Sequence, residues 1–282
     1  MSTTSGGTEL SHNTSLRCPL CGAAPTASAL QGGSWSVRFC RQCTNAWTDP
    51  PPGVIDYTDE DFHRRAVNHG ENGSQVTLAD LPRQWRRSLL MQVDCLGAVL
   101  PPQSHILEIG CGEGVLLALL GTKGFKVTGI EPSVSASKEA RRRGLEVHTG
   151  SFPEIHIDTR VDAVILSHVL EHMPRPASVL GAINNLLDHG YVLLVQTNWR
   201  GLLPRVLGRR WYAWVPEQHF WHFTPRGLET LYQPLGWATH AISYSSLVHR
   251  GGLHPLSELA WPIPGLGDQF QILAKTHAYP KR

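Results

Sequence analysis

The run Ile106-Leu107-Glu108-Ile109-Gly110-Cys111-Gly112-Glu113-Gly114 constrains this chain more than any other feature. A short, almost continuously apolar segment ends in glycines spaced G-x-G-x-G, the form of a buried strand that turns sharply into a helix. The pattern then repeats. Apolar segments at 106–109, 127–130, 145–148, 163–166 and 192–195 alternate with helical patterns at 114–122, 133–143 and 176–187. Strands of this kind, separated by helices, predict an α/β fold with a parallel sheet covered on both faces. A helix opened by Thr224-Pro225, with Leu228, Leu231, Tyr232 and Leu235 on one face, and late strands at 237–244 and 269–276 complete the pattern.

An open α/β sheet binds its ligand beyond the carboxyl ends of its strands, where this glycine run lies. The dinucleotide fingerprint wants its third glycine one residue later, at the position of Val115, which argues against NAD. Glu131 ends the second strand, where a carboxylate can accept both hydroxyl protons of a ribose. Strand, glycines, helix and acid together predict a nucleoside site.

Four of the six cysteines form two pairs, Cys18-Pro-Leu-Cys21 and Cys40-Arg-Gln-Cys43. This is a zinc-ribbon spacing, because each tight turn aims two thiolates at one ion. Trp35, Val37 and Phe39 alternate as a hairpin between the pairs requires. A closed site of this kind supplies folding free energy, on the order of 10–16 kcal/mol in zinc-finger peptides, rather than catalysis. Cys95 sits in an apolar helical pattern and reads as a packed thiol. The expected organisation is a disordered tail at 1–15, a zinc ribbon at 16–48, a linker and helical lid at 49–103 with a helix at 83–100, and a nucleoside-binding domain at 104–282.

Composition excludes several classes. With 25 basic and 23 acidic side chains the formal net charge is +2, too balanced for a surface built throughout to hold nucleic acid. No apolar run approaches the roughly 18 residues of a membrane span, and Met1 to Ser15 lacks a basic start followed by an apolar stretch. A cytoplasmic protein with no membrane partner is the expectation.

The glycine run, Gly129-Ile130-Glu131-Pro132 and His168-Val169-Leu170-Glu171-His172-Met173 resemble the class I S-adenosylmethionine-dependent methyltransferases over residues 104–245. The four cysteines, Tyr57-Thr58-Asp59-Glu60-Asp61-Phe62 and His219-Phe220-Trp221-His222-Phe223-Thr224 further resemble a bacterial subgroup with an N-terminal zinc ribbon. The resemblance implies a Rossmann-like, seven-stranded methyltransferase sheet whose last strand is antiparallel. It implies that Glu108, Gly110, Gly112 and Gly114 hold the methionine part of S-adenosylmethionine and Glu131 the ribose, with Cys111, Pro132, Ser151, Phe152, Ser167 and His168 also at the cofactor. Many relatives carry an acid after the third strand that contacts adenine. Here Gly150 is followed by Ser151 and Phe152, so packing by Phe152 takes its place.

A sulfonium makes its attached carbons electrophilic, so the protein's task is to align the acceptor, exclude water and, for a neutral acceptor, remove a proton. Histidine suits the last task. His168 is the leading acid/base candidate; His172 reads as hydrogen-bonded in its loop; His219 and His222 divide between pocket and structure. Alternatively, His168-x-x-Glu171-His172 with a later histidine resembles the metal-binding pattern of small-RNA 2′-O-methyltransferases and ubiquinone-pathway O-methyltransferases. Trp199, Trp211, Trp214 and Trp221 predict an aromatic lid over a flat or apolar acceptor, with Arg205, Arg209 and Arg210 open to an anionic one. Arg141, Arg142 and Arg143 end a helix and complement its dipole.

The functional expectation is methyl transfer to a small-molecule acceptor such as a sugar, an aromatic or a specialised metabolite. The alternatives are an RNA-modifying enzyme whose ribbon grips nucleic acid, use of the aminocarboxypropyl arm of the same cofactor, and a catalytically silent cofactor-binding protein. Charge balance and the few basic residues near the cysteines weigh against nucleic acid.

Overall fold

In chain order the ribbon strands are β1 (Thr26–Gln31), β2 (Ser36–Cys40) and β3 (Ala46–Asp49), followed by helix α1 (Arg83–Gly97). Then come β4 (His105–Ile109), α2 (Val115–Thr122), β5 (Lys126–Glu131), α3 (Val134–Arg142), β6 (Glu146–Thr149) and β7 (Ala163–Ser167). The chain continues through α4 (Pro176–Leu186), β8 (Tyr191–Thr197), α5 (Leu202–Leu207), β9 (Trp221–His222), α6 (Pro225–Tyr232), β10 (Ala238–Ser245) and β11 (Gln269–Lys275). This computed structural model describes residues 17–24, 26–53, 56, 78–79, 81, 83–187, 189–245 and 265–276. The expected tail at 1–15 and the 57–62 stretch lie outside them.

The large sheet has seven strands in the order β10-β11-β8-β7-β4-β5-β6. Strands β4 to β8 pair in parallel, while β11 enters antiparallel between β8 and β10. This is the expected Rossmann-like methyltransferase sheet, including its antiparallel late strand. Both faces are buried. One carries Leu107, Ile109, Val164, Leu166 and Leu194 against α4 and α6; the other carries Ile106, Ile165, Leu193 and Val195 against α1 and α2. Helix ends follow their caps. Ser133 Oγ accepts from Ala136 N at the start of α3, and Thr224 Oγ1 accepts from Gly227 N at the start of α6. At the far end of α3, Arg141 donates to Val147 O and Thr149 Oγ1, and Arg143 pairs with Glu113 at 3.1 Å, so two of the three arginines brace the fold.

The ribbon does not form a sheet by itself. Its order is β1-β2-β3-β9, and β9 comes from 172 residues further along, with Ala46 opposite His222 and Trp47 opposite Trp221. The registers of β1–β2 and β2–β3 are antiparallel, as a hairpin reading expects, but a two-residue strand carries no periodicity and gave no signal in the sequence. Buried polar bonds reinforce the joint. Thr44 and Thr224 hydroxyls lie 2.6 Å apart, Asn45 Nδ2 donates to Gly227 O at 3.0 Å, and Trp199 Nε1 donates to Thr44 O at 3.2 Å.

Gly227 shows how tight this joint is, because a Cβ there would stand 1.7 Å from Asn45 Oδ1. Asn45 is fully buried and cannot swing clear. Gly227→Ala is therefore expected to destabilise the chain by about 1–3 kcal/mol in thermal or urea unfolding, the scale of overpacking. Gly121→Ala on α2, where a Cβ meets nothing within 4 Å, should be neutral or stabilising.

Candidate active site

Three strand ends build the site. β4 runs into a turn in which Gly110, Gly112 and Gly114 have φ of 72, 54 and 76°, a backbone that side chains rarely adopt. The turn also lacks room, since a Cβ at Gly110 would lie 2.5 Å from Val169 Cγ2 and one at Gly114 2.3 Å from Leu145 Cδ1. β5 ends in Glu131, whose carboxylate reaches across: Oε2 accepts from Gly112 N and Oε1 from Ser133 N, both at 2.8 Å. Those bonds hold the glycine turn against the next strand end. A carboxylate has about four lone-pair positions, so it can accept more than one hydrogen bond at each oxygen.

Glu108 lies in β4 beneath the turn, 4% exposed, and its Oε2 has no hydrogen-bond partner. Burial, with the nearby Glu131 charge adding, pushes its carboxyl well above the usual range. A buried acid without a donor suits a cationic ligand group, which would pair with it and restore its charge. Burial and the same two acids push the Cys111 thiol up as well, so it serves as packing beside Leu117 and Val147. Pro132 is half-buried, Ser151 exposed and Phe152 buried.

β7 delivers Ser167 and then His168, which has φ of 56°. A non-glycine residue in that region is held there by its surroundings, here in part by its N–H donating to Val195 O at 3.0 Å. The His168 ring has an oriented partner. Nδ1 lies 3.5 Å from Glu171 Oε1, Trp85 of α1 sits edge-on at 6.1 Å, and Nε2 is buried with no partner. If Nδ1 carries the hydrogen toward the carboxylate, Nε2 offers its lone pair to the crevice.

Glu171 sits at the centre of the cluster. It is 2% exposed; burial raises its pKa, but the His168 hydrogen bond and the charges of His172, His168 and His219 outweigh that and hold it at about 2. Burial lowers His172, takes His219 down to about 3 and holds His222 well below the ordinary imidazole range. At neutral pH the centre therefore pairs an anionic carboxylate with uncharged imidazoles. Ligand atoms of Glu171, His172 and His219 lie within 4.8 Å of one another, and the His172 and His219 rings meet edge-on at 4.7 Å. The structure thus gathers His168, His172 and His219, with His222 behind them, its ring 6.0 Å from that of His219. Glu171, which the sequence marks through its i,i+3 spacing from His168 and its place in the His168-x-x-Glu171-His172 pattern, is thus the residue around which the histidines gather.

The tryptophans divide. Trp211 is 2% and Trp221 6% exposed, packed in the interior rather than over a pocket, because their neighbours Leu203, Ala213 and Phe223 close around them. Trp199 and Trp214 are half-buried, Trp214 stacking edge-on against His222 at 4.8 Å. In the ribbon the Sγ atoms of Cys18, Cys21, Cys40 and Cys43 all lie within 4.8 Å, with Cys18–Cys43 at 3.6 Å and Cys21–Cys40 at 3.5 Å. Thiolates around a tetrahedral zinc at about 2.3 Å stand about 3.8 Å apart, so the set fits that ion.

Comparison with known proteins agrees with the fold. Residues 79–242 match the family model of a methyltransferase domain. The chain is 28% identical over 185 residues to a ubiquinone biosynthesis O-methyltransferase of Rhodopseudomonas palustris, covering 61% of this chain and 71% of that protein. It is 33% identical over 125 residues to the protein of the same name from Alkalilimnicola ehrlichii, covering 40% of this chain and 50% of that one. The chain thus spans about half the length of several curated relatives it matches. Among solved structures it is similar in fold to magnesium protoporphyrin IX methyltransferase from Synechocystis with bound S-adenosylhomocysteine, with a TM-score of 0.56 at 17% identity over 78% of this chain and 96% of that one. No helix among the described residues is long and apolar enough to cross a membrane.

The buried histidines give stability a defined pH dependence. His219 moves from an ordinary 6.5 to about 3 on folding, so below 6.5 the unfolded chain takes up a proton that the folded one refuses. Stability contributed by this group is present above 6.5 and lost as pH falls toward 3. Unfolding curves between pH 7 and 4 should therefore slope less steeply for His219→Gln than for the unaltered chain; parallel slopes would contradict the burial argument.

Proposed function

The chain belongs to the methyltransferase domain family, and we propose that it transfers the methyl group of S-adenosylmethionine to a small-molecule acceptor. The observation that carries this reading is that Glu108 Oε2 in β4 and His168 Nε2 just after β7 are both buried without hydrogen-bond partners, one suited to a cationic ligand group and the other to an acceptor proton. When bound, the cofactor supplies an electrophilic methyl carbon on its sulfonium. The glycine turn lets the backbone approach the methionine part, Glu108 pairs with its amino group and Glu131 accepts from the ribose hydroxyls. Pro132, Ser151, Phe152 and Ser167 complete the surround, with Phe152 offering packing to the base. His168 takes the acceptor's proton at Nε2 while Glu171 holds Nδ1–H and stabilises the imidazolium that forms.

That the ubiquinone biosynthesis relatives are O-methyltransferases, together with a neutral-acceptor mechanism that needs a base, favours oxygen as the methylated atom. The balanced charge supports a small acceptor over nucleic acid, and a cytoplasmic location follows for an enzyme of soluble metabolites. Cys18, Cys21, Cys40 and Cys43 hold a structural zinc ion, whose closed coordination leaves no position for a reactant.

A second reading has its own observation. Glu171, His172 and His219 offer one carboxylate and two uncharged imidazoles within 4.8 Å, a ligand set for a zinc-like cation that would polarise the acceptor oxygen.

Calorimetry should find that Glu131→Ala weakens S-adenosylmethionine binding by about 1.5–3 kcal/mol, the scale for hydrogen bonds to a charged group. Undiminished affinity would displace the ribose from this strand end.

Methyl-labelled cofactor offered with a panel of catechols, hydroxybenzoates and sugars tests the reaction itself. His168→Asn keeps a residue that tolerates left-handed backbone but removes the base, and should lower turnover about 10²-fold or more with cofactor affinity nearly intact. Wild-type turnover in that variant would remove His168 as the base. Loss of activity with a chelator that spares the ribbon zinc, restored by divalent metal, would favour the second reading.

A further inference from the structure

The ribbon has no place in the mechanism above, yet its third strand touches the histidine cluster directly. Thr48 of β3 is 1% exposed, and its Oγ1 lies 2.7 Å from His219 O and 3.2 Å from His222 Nε2. A hydroxyl has one hydrogen and a carbonyl can only accept, so that hydrogen goes to His219 O. Toward His222 the oxygen is then the acceptor, and Nε2 must carry the ring hydrogen. His222 is thereby left with its lone pair on Nδ1, which is buried and has no hydrogen-bond partner. His219 is fixed by the same logic. Its Nδ1 lies 3.2 Å from Ala213 O, so Nδ1 donates and Nε2 carries the lone pair.

The backbone continues the connection. Thr48 N donates to Phe220 O at 3.1 Å, and Phe220 N donates to Glu171 O at 2.9 Å. One residue, Phe220, therefore links the ribbon strand to the loop that carries Glu171 and His172. On the ribbon side the path is short: Thr44 N donates to Cys40 O and Cys40 N to Asn45 O, so the knuckle that presents Cys40 and Cys43 is bonded into the segment that ends at Thr48.

From this geometry we propose that Thr48 is a positioning residue for the reaction, fixing the tautomer of His222 and the placement of His219 from the four-cysteine ribbon. The inference rests on the reading of His168 and Glu171 as the reacting pair, around which His172 and His219 pack, and goes beyond it by giving the ribbon a part in assembling that centre. Thr48 acts through His219 and Phe220 and does not itself meet the acceptor. The ribbon is then one wall of the active site's supporting shell, and partners of that kind typically change activity or affinity 10–100-fold when lost.

The test uses the full, zinc-loaded chain labelled with ¹⁵N in histidine, in which ring nitrogen shifts report the tautomer directly. Valine matches threonine in shape but has no hydroxyl. Thr48→Val should release His222 from the Nε2–H form and lower kcat about 10-fold or more with S-adenosylmethionine affinity unchanged, and Thr48→Ser should restore both. A purely structural role would move melting temperature without moving the ring shifts or kcat of the folded protein. Unchanged His222 shifts in Thr48→Val overturn the proposal, as does a changed tautomer with wild-type kcat. Failure of the parent reading is seen separately, as wild-type turnover in His168→Asn with Thr48 intact.

Discussion

The parallel pairing of β4 with β5 on one side and β7 on the other is the constraint on which the site depends. Parallel neighbours end at the same edge of a sheet, so the chain leaves all three strands facing one crevice. That places Gly110–Gly114, Glu131 and His168 together although 58 residues separate the first from the last. The turns must then be compact, because three chain exits share one edge. Val169 occupies the space a Cβ at Gly110 would need, and Cys111 Sγ would lie 2.5 Å from a Cβ at Gly129. Glycine here answers to close packing as well as to positive φ.

The same convergence explains the electrostatics. Glu108, Glu131 and Glu171 stand at or near the ends of β4, β5 and β7, all nearly excluded from water. The three meet burial differently. Glu131 is held by two backbone N–H groups, and Glu171, although its Oε2 has no hydrogen-bond partner, is kept ionised by the histidines around it; Glu108, with Oε2 likewise unpartnered, is instead pushed up by burial and the Glu131 charge. An unpaired buried acid costs stability unless something arrives to pair with it. Under the proposed function, the position of Glu108 beneath the glycine turn suits the amino group at the methionine end of the cofactor, so that charge would set the direction of ligand binding.

Much of this was legible in the sequence, for physical reasons. The sheet's strands are buried on both faces and so appear as apolar runs, and the glycine turn is a backbone requirement written in residue type. The CxxC pairs are legible because two thiolates on one turn suit one ion. What could not be read was contact across long separation. β9 is two residues long and pairs with β3 from the ribbon; nothing in Trp221-His222 marks it as a strand. The four tryptophans read as a lid because density in sequence does not distinguish a pocket wall from a core, and Trp211 and Trp221 went to the core. The left-handed backbone at His168 was also silent, since histidine seldom adopts it.

The ribbon and the methyltransferase sheet read as separate units along the chain, yet the fold makes the first a contributor to the second. Thr44, Asn45 and Thr48 are polar residues in a buried segment, and each makes a hydrogen bond across the joint even though Asn45 Oδ1 itself has no partner. Their partners, Thr224, Gly227, His219 and His222, all lie on the stretch that supplies the later histidines. A purely apolar joint could slide by a fraction of an ångström with little penalty. A joint made of directional bonds cannot, and imidazoles that must face one carboxylate need that fixity. The four cysteines can therefore lie far from the chemistry in sequence and still bear on its geometry, because the strand that follows them carries the bonds that orient the rings.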